Sequence, residues 1–232
     1  MWLKYGEPAF LDLPDGCPRD TIAAWIRVRP TNPTEPVPNI SNLIFVDPSE
    51  AESFVTAKRA EEHAAGRWLI EYLLLKSGRN PNSFIIERDD FRRPRLIGPN
   101  APSITITHSG GFAAAALGPK GADIGLDLEP VMTRPRNLLS MMSSGEEKMI
   151  LESLFDNDEE IASSRTTDVW VAKEAVQKAI GLGMGLPPQS FEVEGQNVIN
   201  INIEGKKHTF NIHRWKTFLN GQLNTLAIAE KI

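Results

Sequence analysis

Asp127 and Glu129 stand two residues apart in the segment Ile124-Gly125-Leu126-Asp127-Leu128-Glu129-Pro130. In a strand, residues at that spacing face one side. Both carboxylates then point together, while Leu126 and Leu128 point into a core. Two like charges on one face repel each other, and either solvation or a bound cation relieves them. An all-oxygen donor pair suits a hard ion such as Mg²⁺. The plainer alternative is the solvated outer face of an edge strand. Further on, Glu174 and Lys178 lie four apart in Trp170-Val171-Ala172-Lys173-Glu174-Ala175-Val176-Gln177-Lys178, which places them on one face of a helix. They are either a surface ion pair of small worth or a third carboxylate for a cation, with a lysine beside it to meet an anion.

A second set of residues is basic. In Thr107-His108-Ser109-Gly110-Gly111 a histidine closes a strand among small residues. It can donate to a phosphate or serve the structure. The neighbouring serine lacks the Gly-x-Ser-x-Gly frame of a nucleophile elbow, so a hydrolase finds little support. Arg59 and Arg67, eight residues apart, are about two helical turns distant and share a face. Paired arginines suit a cluster of phosphates, although charged helix faces are often simply solvated. Arg93 belongs to a further basic run, Arg92-Arg93-Pro94-Arg95.

The elements that carry these residues can be read from the pattern. Prolines at 30, 33, 36 and 38 mark residues 30–42 as a loop. Ser49, followed by Glu50 and Glu52, reads as the cap of a helix. Ala57, Ala60, Ala64, Trp68, Leu69, Tyr72 and Leu75 continue it to about Lys76, with a stop near Gly78. Short strands are expected at 84–86, 103–107, 112–117 and 122–128, with 103–129 forming an antiparallel meander. Ser143 to Glu147 reads as a capping box opening a helix to about Phe155. A helix from Asp168 to Ile180 ends at Gly181 and Gly183. The tail reads as four short strands: 191–193, 198–203, 208–215 and 223–229. Helix, strands, helices, strands is an α+β order, with a long helix and antiparallel strands in each half.

Composition narrows the function. The 232 residues suit one large domain or two small ones. Cys17 is the single cysteine, which excludes an intrachain disulfide and a thiolate zinc cluster. A formal net charge of −5 argues against sequence-independent nucleic-acid binding. No apolar run reaches the roughly 18 residues of a membrane span, and the N-terminus lacks a secretory pattern. The expectation is a cytoplasmic protein with no membrane span and no nucleic-acid partner.

Taken in order, these segments resemble the Sfp-type 4′-phosphopantetheinyl transferases, particularly the enterobactin-synthetase-activator branch. Ile124-Gly125-Leu126-Asp127-Leu128-Glu129 is similar to that family's Ile/Val-Gly-x-Asp-x-Glu strand. Glu174, 47 positions after Asp127, lies in a segment similar to its Trp/Phe-x-x-Lys-Glu-Ala/Ser-x-x-Lys helix. Glu62-His63-Ala64-Ala65-Gly66-Arg67, Arg93-Pro94, Ile106-Thr107-His108-Ser109 and Leu182-Gly183-Met184-Gly185-Leu186-Pro187 extend the likeness over about residues 47–230. Ala172 departs from it, since many relatives carry Ser, Cys or Thr there. The stretch 130–168 and the first 45 or so residues match poorly.

The resemblance implies a pseudodimer of two α+β halves with coenzyme A in the cleft. Residues 1–118 would be the phosphate-binding side and 119–232 the metal and catalytic side. Asp127, Glu129 and Glu174 would hold Mg²⁺, or Mn²⁺. Glu174 would take the proton of a carrier serine, and Lys178 would steady the leaving 3′,5′-ADP. Arg59, Arg67, Arg93, His108, Lys173 and Lys178 would hold phosphates of coenzyme A. The partners would be apo acyl or peptidyl carrier proteins of fatty acid, polyketide, nonribosomal peptide or siderophore assembly. The enzyme would be a monomeric holo-[acyl-carrier-protein] synthase. Two alternatives stand beside this: a coenzyme A-binding module that no longer turns over, and an unrelated Mg²⁺ phosphotransferase or phosphohydrolase. The latter would lack the P-loop, which is absent here.

Overall fold

The central strand of the first sheet is read off directly from Phe112-Ala113-Ala114-Ala115-Ala116-Leu117-Gly118, every residue of which is buried. A run this small and apolar can only lie between neighbours and beneath a helix. The computed structural model describes residues 7–232, and these form two units, each with its own core. One unit takes the chain to Leu13 and Pro18–Gly121; the other takes Pro14–Cys17 and Ala122–Ile232.

The first unit runs β1 (Ala9–Phe10), β2 (Ile22–Arg27), α1 (Pro48–Glu52), α2 (Ala57–Lys76), β3 (Ile85–Arg88), β4 (Pro94–Ile97), β5 (Ser103–Ser109) and β6 (Phe112–Gly118). Its sheet has the order β1-β2-β6-β5, while β3 and β4 form a separate hairpin. All pairs are antiparallel, with Ala115 opposite both Ala24 and Ile106. Leu69, Ile70, Leu73 and Leu74 of α2 join Ala113, Ala115 and Leu117 in one core. Each such leucine contributes roughly 1.5–3 kcal/mol by burial.

Two expectations are corrected here. The helix expected from Ser49 to Lys76 is two helices. Asp47, not Ser49, caps the first, accepting from the Ser49 N–H at 2.7 Å. Thr56 then adopts an extended conformation and accepts from the Arg59 N–H, opening α2 afresh. The expected meander over 103–129 also fails. The second edge of β6 is taken by β2, from a stretch in which no strand is expected from the sequence pattern, and the strand after β6 pairs elsewhere. Between Arg27 and Pro48 there is no regular element, as the prolines predict.

The second unit runs β7 (Ile124–Pro130), α3 (Leu139–Met142), α4 (Gly145–Asn157), α5 (Glu159–Ile180), β8 (Val198–Ile203), β9 (Lys206–Leu219) and β10 (Gln222–Lys231). Its antiparallel sheet has the order β7-β10-β9-β8, with Asp127 opposite Ala227. Val171, Ala172, Ala175, Val176 and Ala179 of α5 pack on Phe210, Ile212, Ala227 and Ala229. Helix α5 begins nine residues before the expected Asp168, because Asp158 caps it, accepting from the N–H groups of Glu160 and Ile161. It stops at Gly181, whose φ of 81° suits glycine.

The tail holds three strands rather than four. Residues 191–193 follow a 3-10 turn and form no strand. Strand β9 is longer than expected because β8 pairs with its first half and β10 with its second. The capping box at Ser143–Glu147 is not made either. Ser144 precedes α4 without a side-chain cap, and its Oγ donates to Gln189 O at 2.7 Å. Glu147 is buried and serves another purpose, described below. The α+β class, with antiparallel sheets and two long helices, is as expected. Among the described residues no helix is long and apolar enough to cross a membrane.

Candidate active site

A Cβ on Gly125 would lie 2.0 Å from Ala175 O and 2.5 Å from Ala179 N. Glycine therefore lets α5 rest directly on β7, and that contact assembles the acidic residues. Lys178 Nζ donates to Asp127 Oδ1 at 2.6 Å across 51 positions of sequence. Leu126 and Leu128 are fully buried, and Asp127 is itself only 3% exposed. A solvated edge face, the plainer alternative for this strand, is not what forms. Glu174 lies one turn before Lys178 on α5. Desolvation pushes its carboxyl above the usual range; Asp127 and Glu129 push it further, against the pull of Lys178. Glu129 accepts from Arg134 Nη2 at 2.9 Å.

Among the described residues, no three acid, histidine or cysteine side chains are already drawn into a metal cage. Asp127 and Glu129 have lysine and arginine against them instead. The donor set nevertheless fits a hard divalent cation. It consists of carboxylates alone, close enough that two of them raise the third, and a cation relieves that repulsion.

Lys173 departs from the expectation of a phosphate contact. Its side chain has no exposure, and Nζ donates to Met142 O (2.9 Å), Pro188 O (2.8 Å) and Phe191 O (2.6 Å). It also pairs with Glu147, which is equally enclosed. Glu147 Oε2 in turn accepts from Val193 N (2.7 Å) and Glu194 N (3.1 Å). All the protons of the ammonium are committed inside the fold. Burial holds its pKa below the usual lysine range, opposed by Glu147. Sequence periodicity could not separate Lys173 from Lys178; only burial does.

The basic residues of the first unit form two groups around two glutamates. Arg59 Nη1 donates to Glu62 Oε2 (3.0 Å) and lies 3.4 Å from His108 Nε2. His108 Nδ1 is 3.6 Å from the same Glu62 oxygen. Arg67 and His63 lie 3.7 and 3.6 Å from Glu50 Oε2, and Arg88 pairs with the other oxygen. Arg59 and Arg67 share a helix but have different partners. Arg93 is half-buried in the β3–β4 turn, where its backbone N–H donates to Asp89 Oδ1 at 2.9 Å. His63, Arg88 and Glu50 are additional members of this cluster. His63 was open to discovery, since it falls four residues from both arginines of the helix. Arg88 carried no comparable signal.

Burial and neighbouring cations together disfavour protonation of His63 in this cluster. Burial first, then Arg67, Arg88, His108 and Arg59, depress His63 to about 3, and Arg67 Nε donates to its Nε2 at 3.3 Å. Burial and Arg88 bring buried Arg67 down to about 10, opposed by Glu50. A histidine depressed on folding stabilises the native state above its unfolded pKa, and that contribution falls away as pH drops toward the folded value. The chain should therefore lose stability on the order of 4–5 kcal/mol at most from this residue between pH 6.5 and 3. Urea unfolding across that range should show a shallower pH slope for His63→Gln. An unchanged slope would contradict the assignment.

Residues 123–229 match the family model of the 4′-phosphopantetheinyl transferase superfamily. The matched span holds Asp127, Glu129, Lys173, Glu174 and Lys178, and thus both parts of the acidic motif. It supports the superfamily read from the residues, without reaching the enterobactin-activator branch. Arg59, Arg67, Arg93 and His108 lie outside it. A comparison with curated proteins gave no match.

Proposed function

We propose that the chain transfers 4′-phosphopantetheine from coenzyme A to a serine of an apo carrier protein, with Mg²⁺ as cofactor. The observation that carries this reading is the convergence of Asp127, Glu129, Glu174 and Lys178 on one side of the β7–α5 contact, within the span that matches the superfamily. Asp127, Glu129 and Glu174 would hold the ion. When bound, it neutralises charge on the pyrophosphate of coenzyme A.

The remaining roles belong to the side chains. Glu174 would take the proton of the carrier serine, directly or through a water. The serine oxygen forms a bond to the phosphorus that bears the pantetheine arm, and the bond from that phosphorus to 3′,5′-ADP breaks. Lys178, exposed over about a quarter of its side chain, steadies or protonates the leaving phosphate. Arg59, Arg67, Arg93 and His108 bind phosphate oxygens of coenzyme A as charge-assisted donors. His63 and Arg88 extend that set. Glu50 and Glu62 hold the arginines and histidines in place of an anion until one binds.

This reading makes the enzyme a holo-[acyl-carrier-protein] synthase of the Sfp type, acting as a monomer in the cytoplasm. Release of 3′,5′-ADP tests it. Release should require coenzyme A and apo-carrier together and should stop in Glu174→Gln. Release from coenzyme A alone would favour a phosphohydrolase instead.

A further inference from the structure

Arg134 lies in the stretch 130–168, which matches the family motifs poorly, yet it makes four contacts around one end of the acidic strand. Its Nη2 donates to Glu129 Oε2 (2.9 Å) and to Pro130 O (3.2 Å). Its Nε donates to Thr167 Oγ1 at 3.3 Å. Its backbone N–H donates to Ser163 Oγ at 3.0 Å. Ser163 and Thr167 lie on α5 and are buried, and Thr167 Oγ1 donates to Ser163 O at 2.9 Å. The arginine therefore joins the end of β7 to a fixed part of α5, two turns before Glu174.

We infer that Arg134 is a positioning residue for the metal ligand Glu129, fixing its carboxylate through one oxygen and leaving the other for the cation. The inference rests on the proposed metal role of Asp127, Glu129 and Glu174. A guanidinium is suited to this work. It is planar, holds its charge, and binds Glu129 and Thr167 through different nitrogens at once. A carboxylate ligand whose second oxygen is held in this way keeps its orientation, and removal of such outer partners weakens metal binding by about 10- to 100-fold. Two opposing effects are in play. Loss of the positive charge alone would favour cation binding, whereas loss of orientation would weaken it. The two contacts to Ser163 and Thr167 on α5, groups that do not move with Glu129, make orientation the larger effect.

Arg136 provides the internal control. It lies two residues on, and its partner Asp156 is at 2.6 Å, but both side chains are more than half exposed.

The test is titration of Mn²⁺ followed by the paramagnetic resonance of free ion, without coenzyme A or carrier, so that turnover plays no part. Arg134→Gln should weaken Mn²⁺ binding by about 10-fold or more. Arg136→Gln should leave it unchanged. Arg134→Lys should recover part of the loss, since a single ammonium reaches Glu129 or Thr167 but not both. If Arg134→Gln does not fold, Thr167→Val, which removes only the far anchor, should weaken binding in the same direction by less. Wild-type or tighter Mn²⁺ affinity in folded Arg134→Gln or Thr167→Val would reduce Arg134 to a structural staple and overturn the inference. Failure of the wild type itself to bind Mn²⁺ would sink the metal site, a different result from the first.

Discussion

Gly125→Ala is expected to be among the most damaging single substitutions in the chain. The added methyl meets the backbone of α5, Ala175 O at 2.0 Å and Ala179 N at 2.5 Å, and neither can rotate away. Helix α5 must lift from β7 or the strand must bend. The cost should fall at or beyond the upper end of the roughly 1–3 kcal/mol typical of overpacking. Activity should fall further than stability. The same contact sets Lys178 against Asp127 and Glu174 beside them, and a displacement of about 1 Å at a catalytic group can cost on the order of 10²-fold. Gly66→Ala is the informative comparison. There the new methyl would meet Ile106 Cγ2 at 2.7 Å, a single side-chain methyl rather than helix backbone. Chemical denaturation and transfer rates should show Gly125→Ala well below Gly66→Ala. Equal effects would mean that the β7–α5 contact is not what places the acidic residues.

Lys173→Met is expected to destabilise the chain by about 3–5 kcal/mol, the usual result of breaking a buried ion pair from one side. It strands Glu147, which has no exposure, and removes the donor to the carbonyls of Met142, Pro188 and Phe191. Glu147→Gln should also be costly, but less so. The amide oxygen can still accept from the N–H groups of Val193 and Glu194, while the buried ammonium loses its counter-charge. Urea midpoints measure both. If Lys173 instead held phosphate, Lys173→Met would leave stability nearly intact and raise the KM for coenzyme A. That pattern would restore the reading that resemblance suggested and burial argues against.

The chemistry of this chain was more legible in its sequence than its topology. The alternation around Asp127 and the helical spacing of Glu174 and Lys178 placed three carboxylates and a lysine correctly on their elements, because both periodicities are local. What failed was non-local. The pairing of β6 with β2 rather than β7 depends on which edge the buried alanine strand offers, and that information is absent from the strands themselves. Glu147 fitted a capping box by spacing, but a partner 26 positions away, Lys173, was a stronger claim on its carboxylate. Asp47 displaced Ser49 as a cap because a carboxylate two residues earlier already accepted from the serine N–H. Arg134 and Arg88 left no periodic trace, since each acts through the fold at a single point.

The central claim is transfer, and the mass of a carrier protein tests it most directly. A promiscuous apo-carrier is incubated with coenzyme A, Mg²⁺ and either the wild-type chain or Glu174→Ala, and its intact mass is measured. The wild type should add the mass of one phosphopantetheine arm to the carrier serine, and Glu174→Ala should add none while still binding coenzyme A. No mass gain across several carriers, with coenzyme A bound by the wild type, would contradict transfer and leave a binding module in its place.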